Sequence, residues 1–256
     1  MTITKNELDK LVEKYETTAF IKDDPVQFIH KYKNKYDIEL AGFISAAFAY
    51  GNRKIFIKKL NELFNYANND LTNYIKNGDF KEILTNNFNY RFSDCYEIAE
   101  FLKILSKLYN TSNGLSELYK YGWEKENNIY TMFQVVVDYF YANASEKLLQ
   151  NFSPLIPNPK KNGAMKRMNM YMRWMVRKSC VDIGLWNFVP KSELLIPLDV
   201  HVARLSREMQ LLTRKSNDKK AVVELTNNLK IFDSNDPVKY DFAIFGKGIE
   251  ETYKNK

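Results

Sequence analysis

Two residues in this chain have types and settings suited to chemistry on a nucleic-acid sugar: Lys166 and Asp199. Lys166 follows a basic, glycine-containing turn, Pro159-Lys160-Lys161-Asn162-Gly163, and Asp199 stands at the mouth of a helical pattern in Pro197-Leu198-Asp199-Val200-His201-Val202-Ala203-Arg204-Leu205. An unprotonated amine can attack C1′ of a nucleoside and form a Schiff base there. A carboxylate beside the anomeric carbon stabilises the positive charge that builds on the sugar as the base departs. The base must first leave the stack. Lys166 lies among Lys160, Lys161 and Arg167, the positive surroundings such an amine requires. The turn before it offers backbone N–H groups to a phosphate. Plainer readings stand beside these. An aspartate before a helix is ordinarily an N-cap, and a helical lysine ordinarily a solvated charge. His201 reads as a surface or satisfied histidine.

Helices must position these residues. Apolar residues recur at helical spacing from Asn6 to Tyr15, and Asp24-Pro25 reads as a cap with proline at the first helical position. Leu40–Tyr50 is strongly apolar, with small residues that permit close packing. Further helices are predicted after Gly51-Asn52 and over Asp70–Lys76, Asp94–Leu108, Gly114–Glu124 and Thr131–Tyr141. Pro154, Pro157 and Pro159 enforce an extended approach to the key turn. Asn162 is then expected to cap a helix from Gly163 to about Lys178. Its core stripe would be Met165, Met168, Met172, Met175 and Val176, with Lys166, Arg173 and Arg177 on another face. Val200–Leu212, Asp218–Leu229 and Val238–Ile244 complete an all-α chain, the last ending before Gly246-Lys247-Gly248.

Bulk properties narrow the classes. The 256 residues are 45% hydrophobic, enough for a sizeable core in one domain or two interlocked subdomains. No apolar run is long enough to span a membrane, and the charged N-terminus lacks a signal-peptide core, so the chain reads as cytoplasmic. Cys95 and Cys180 are the only cysteines, alongside His30 and His201, which argues against a zinc site or an iron–sulfur cluster; each thiol is expected to be buried and reduced. The net charge of +7 favours an anionic partner. No acid lies between Glu146 and Asp182, whereas Lys147, Lys160, Lys161, Lys166, Arg167, Arg173, Arg177 and Lys178 do. That is either a nucleic-acid footprint or a solvated helix face.

The segments around Lys166 and Asp199 resemble the helix–hairpin–helix DNA glycosylase superfamily, which includes endonuclease III and the archaeal 8-oxoguanine glycosylases. Pro197-Leu198-Asp199-Val200-His201-Val202-Ala203-Arg204 is similar to the segment bearing the catalytic aspartate, and Lys160–Lys178 to the hairpin and lysine helix. The whole chain also resembles an uncharacterised bacterial family related to these enzymes, through Ala46–Gly51, Lys166–Asn169, Arg173–Arg177, Pro197–Asp199 and Asp236–Phe242. The hairpin here has one glycine, and Ala49-Tyr50-Gly51 stands where the superfamily often has Ser-x-Gln.

The resemblance implies two helical subdomains flanking a cleft: residues 41–187 with the hairpin and Lys166, and residues 1–40 plus 188–256 with Asp199. It implies base-excision repair by a glycosylase with abasic-site lyase activity on an oxidised purine. Lys166 would be the Schiff-base nucleophile and Asp199 the charge-stabilising carboxylate. Lys160, Lys161, Asn162 and Gly163 would hold DNA phosphate, with support from Arg173 and Arg177. The expected partner is double-stranded DNA with a damaged base or abasic site, bound by a monomer, at the nucleoid in a bacterium, with no metal and no organic cofactor. The alternatives are a catalytically silent DNA-binding module on the same scaffold and a purely structural helical protein.

Overall fold

A computed structural model describes residues 3–254. Among them there is no β-strand, and the architecture is all-α as expected. The helices are α1 (Lys5–Tyr15), α2 (Thr18–Ile21), α3 (Lys35–Phe48), α4 (Arg53–Tyr66), α5 (Leu71–Asn77), α6 (Lys81–Thr85), α7 (Cys95–Thr111), α8 (Leu115–Glu126), α9 (Ile129–Ala142), α10 (Glu146–Asn151), α11 (Lys166–Val176), α12 (Val200–Glu208), α13 (Lys219–Lys230) and α14 (Tyr240–Lys254). No described helix is long and apolar enough to cross a membrane.

The chain forms two compact units, Asp24–Asn158 and a discontinuous one made of Met1–Asp23 with Pro159–Lys256. These boundaries differ from the expected ones at 40/41 and 187/188. Lys166 therefore belongs to the same unit as Asp199, not to the opposite subdomain. The expectation had grouped Lys166 with the apolar helices before it; contacts group it with α1 and the C-terminal helices.

The Asp24–Asn158 unit is built on α3, whose residues from Asp37 to Phe48 are all buried. Its Phe43 stacks on Phe101 of α7 and Phe140 of α9, with centroids 6.2 and 5.3 Å apart. Asp24 caps the following turn by accepting from the Val26 N–H, but Pro25–Lys31 winds as a 3₁₀-helix and not as an α-helix.

The discontinuous unit has its own core. Leu8 of α1, Val202 and Leu205 of α12, Leu225 and Leu229 of α13, and Ile244 of α14 are buried together. The C-terminal glycines do not end α14, which runs through them to Lys254. Gly246 is where α14 meets α1: a Cβ there would lie 2.3 Å from Tyr15 Cγ. A glycine that costs helix propensity is kept because it permits this approach. Conversely, α12 is shorter than expected. Gln210 adopts a left-handed φ of 61°, and the N–H groups of Leu211 and Leu212 turn back to the Ser206 carbonyl. Gly246→Ala is expected to destabilise the protein by about 1–3 kcal/mol through overpacking against Tyr15, read as a lower urea midpoint with little change in slope.

Candidate active site around Lys166, Asp199 and Asp241

The helix α11 carries Lys166 as its first residue. Its start differs from expectation. Asn162 is not the cap; it takes a left-handed φ of 55°, and Met165 takes the N-cap position with a left-handed φ of 51°. Left-handed backbone at a non-glycine residue costs about 1 kcal/mol or more, so the surroundings must hold it in place. They do so in two ways. The Met165 side chain is buried in the Met stripe with Met168, Met172 and Met175, and Asn169 Nδ2 donates to the Ala164 carbonyl at 3.1 Å. Lys166 thereby leaves an unusually constrained turn. It is half-buried, and among the described residues no carboxylate lies within ion-pair distance of its amine.

At its other end α11 is fixed by buried charge. Arg173 donates from Nε to Asp182 at 3.2 Å and from Nη1 to Asp241, and its guanidinium lies 4.2 Å from the Phe242 ring centroid. Arg177 donates to Asp236 at 2.9 Å, to Asp182 at 2.9 Å and to Glu16 through both terminal nitrogens. Arg173 and Arg177 are 3% and 5% exposed. This corrects the expectation that they support DNA: their donors face carboxylates inside the fold, where a phosphate has no access. Asp182 reaches the pair because the segment after α11 folds back, with Ile183 and Gly184 N–H groups donating to the Trp174 carbonyl. Gly184 permits that return at φ 65°, where a Cβ would sit 2.6 Å from Lys178 Cβ. Cys180, expected to be buried, is exposed on this segment, its thiol donating to the Glu16 carbonyl at 3.2 Å. Cys95 is buried as expected.

Asp199 is the N-cap of α12. Its Oδ1 accepts from the His201 and Val202 N–H groups, both at 2.9 Å. Its Oδ2 receives no hydrogen bond from the described residues, so Oδ1 alone orients the carboxylate. His201 is half-buried in the first turn of α12.

A third acid, which the sequence reading did not single out, joins these two. Asp241 opens α14 and is 5% exposed. Its Oδ2 pairs with Arg173, while its Oδ1 is buried without a hydrogen-bond partner. Burial pushes its carboxyl up to about 7; Arg173 opposes this, Asp199 adds to it, Lys166 opposes it and Asp182 adds to it. The charges of Lys166 and Asp199 thus both act on one buried carboxyl of the same unit. Glu16, Asp182, Asp236 and Asp241 surround the two guanidinium groups. The sequence signal was present in the segment Asp236–Phe242, but nothing in its spacing marked Asp241 as buried.

The residues expected to hold phosphate lie on the surface. Lys160, Lys161, Asn162 and Gly163 are exposed. A Cβ at Gly163 would meet nothing within 4 Å, and its φ is not left-handed, so neither packing nor backbone conformation demands glycine there.

Comparison with known proteins places the chain in a family. Residues 24–250 match the family model described as "Protein of unknown function (DUF2400)", and the chain belongs to that family. No curated protein and no solved structure matched it. Among the described residues no group of three or more His, Cys, Asp or Glu could hold a metal ion.

Two predictions follow from the buried charges. Arg173→Lys keeps the charge but cannot bridge Asp182 and Asp241 with a rigid fork, and is expected to cost about 3 kcal/mol or more in urea unfolding. For Asp241, the folded value near 7 exceeds that of an exposed aspartate, about 4. Between those values the folded chain holds a proton that the unfolded chain has released, so stability should rise as pH falls from about 8 to about 5. Thermal melts across that range should show this rise, and Asp241→Asn should flatten it.

Proposed function

We propose that this protein is a DNA repair glycosylase with an associated abasic-site lyase step, acting on an oxidised purine in duplex DNA. The observation that carries the reading is that Lys166 and Asp199 stand at the starts of α11 and α12 within one compact unit. The lysine has no carboxylate within ion-pair distance among the described residues, and the aspartate has one oxygen left over from its capping role.

The chemistry runs as follows. With the base extruded from the stack, the unprotonated Lys166 amine attacks C1′. The C1′–N bond to the base breaks, and its electron pair leaves with the base, which takes up a proton. Positive charge spreads over C1′ and the ring oxygen as this happens, and Asp199 Oδ2 stabilises it. The attacking nitrogen then loses a proton to solvent, balancing the one the base takes up. Ring opening gives the C1′ Schiff base. Loss of a C2′ proton and departure of the 3′ phosphate cut the strand, and water releases the lysine. No metal or organic cofactor enters these steps. Lys160, Lys161, Asn162 and Gly163 hold backbone phosphate beside the turn that aims Lys166.

Borohydride trapping tests this directly, on duplex carrying an abasic site and on duplex carrying 8-oxoguanine. The wild type should form a covalent adduct, Lys166→Gln should form none, and Asp199→Asn should lower base release about 100-fold or more while still binding duplex. Salt-sensitive duplex binding without an adduct on either substrate would exclude the lyase step; were base release absent as well, a catalytically silent DNA-binding module would remain.

A further inference from the structure

The loop between α12 and α13 and the turn before α11 are joined backbone to backbone, and both carry lysines. The Lys219 N–H donates to the Asn162 carbonyl at 2.9 Å, and Gly163 pairs with Asp218 in an isolated antiparallel bridge. The loop is held in shape by Arg207, which donates to the Arg214 carbonyl at 2.9 Å, the Lys215 carbonyl at 2.8 Å and Asn217 Oδ1 at 2.6 Å. The acids within this surface are already engaged. Arg214 donates to Asp218 and holds its carboxyl well below the usual carboxylate range. Glu224 Oε1 accepts from the Thr213 N–H and hydroxyl at 2.6 and 2.7 Å. Lys161, Lys215 and Lys220 are exposed, and among the described residues none is paired with a carboxylate. An open depression of about 710 Å³ lies along the junction, lined in part by Asn162, Asp218, Lys219 and Lys220. The first turn of α13 is not the feature of interest, because Asp218 already caps it through the Ala221 N–H at 3.1 Å.

We propose that Lys215 and Lys220 form, with Lys160 and Lys161, a two-armed clamp for the phosphodiester backbone of duplex DNA, bound across the Gly163–Asp218 junction. The inference rests on DNA being the partner proposed above, and not on the chemistry of Lys166. The charge suits a polyanion: Lys161, Lys215 and Lys220 are exposed, while Asp218 and Glu224 already accept from Arg214 and Thr213. Ammonium groups on flexible stems grip phosphates without reading base edges, so the clamp adds affinity and register but no sequence preference. Because backbone bridges tie the second arm to the first, a phosphate held at Lys215 or Lys220 fixes the duplex relative to the turn that carries Lys166.

The test is fluorescence anisotropy of the full chain on a labelled, undamaged duplex between about 50 and 200 mM salt, since each neutralised phosphate contributes about 0.9 to the slope of log K against log salt. Lys215→Gln with Lys220→Gln should shrink the slope by about 1 to 2 and weaken binding about tenfold or more, alike on unrelated sequences. Lys220→Glu alone should act in the same direction. The same charge removed from exposed Lys103 and Lys120, on the Asp24–Asn158 unit, should leave the slope unchanged. An unchanged slope in the Lys215/Lys220 pair, or an equal fall in the Lys103/Lys120 pair, overturns the clamp. Trapping on abasic duplex at saturating protein and low salt separates the two proposals. The Lys215/Lys220 variant should still form the adduct, so a failed slope with the adduct intact removes only the clamp. A changed slope with no adduct in the wild type removes only the lyase.

Discussion

The discontinuous unit is organised by a buried ionic constraint, the two arginines near the C-terminal end of α11 and the four acids around them. Buried charges are tolerated only when paired and hydrogen-bonded, and leaving any one partner alone is far costlier than never having buried the set. Arg173 and Arg177 therefore dictate positions well beyond their own helix. Glu16 must follow α1, Asp182 must return on the segment after α11, and Asp236 and Asp241 must frame the start of α14. One helix thus gathers parts of the chain that are more than two hundred residues apart, and its opposite end presents Lys166.

The same constraint shapes the chemistry. Burial disfavours the anionic form of the carboxyls in this network, and the arginines oppose it. Asp182 and Asp241 are both shifted upward by that burial. Asp241 is the one that also feels Lys166 and Asp199. Its Oδ2 belongs to the ion network and its Oδ1 has no hydrogen-bond partner.

Much of this was legible in the sequence, for reasons that differ by residue. Helical periodicity marked α1, α7 and α13 because their apolar faces pack inward in the expected register. Asp199 was legible as a cap because a side-chain oxygen bonding the next two N–H groups is a local event. Asn162 misled for the opposite reason: its left-handed turn is imposed by the bridge to the α13 loop, a contact over fifty residues away. Arg173 and Arg177 looked like surface cations because Glu16, Asp236 and Asp241 are distant in sequence and Asp182 reaches them only through a fold-back. Asp241 was invisible as a titrating group, since burial and field belong to the assembled unit and leave no trace in spacing. Gly246 failed as a stop signal because its role is to admit Tyr15.

The division of the chain has a consequence for how it is made. The Asp24–Asn158 unit is continuous and lies within the sequence of the other, so it can complete its core while the ribosome is still adding residues. The segment carrying α1 emerges first and acquires its partner last, since Tyr15 and Glu16 meet Gly246 and Arg177 only after those residues have been synthesised. During that interval the apolar face of α1, with Leu8 at its centre, has no core of its own to enter. Translation order thus leaves this helix open to chaperones and proteases until the C-terminal helices of its unit are made.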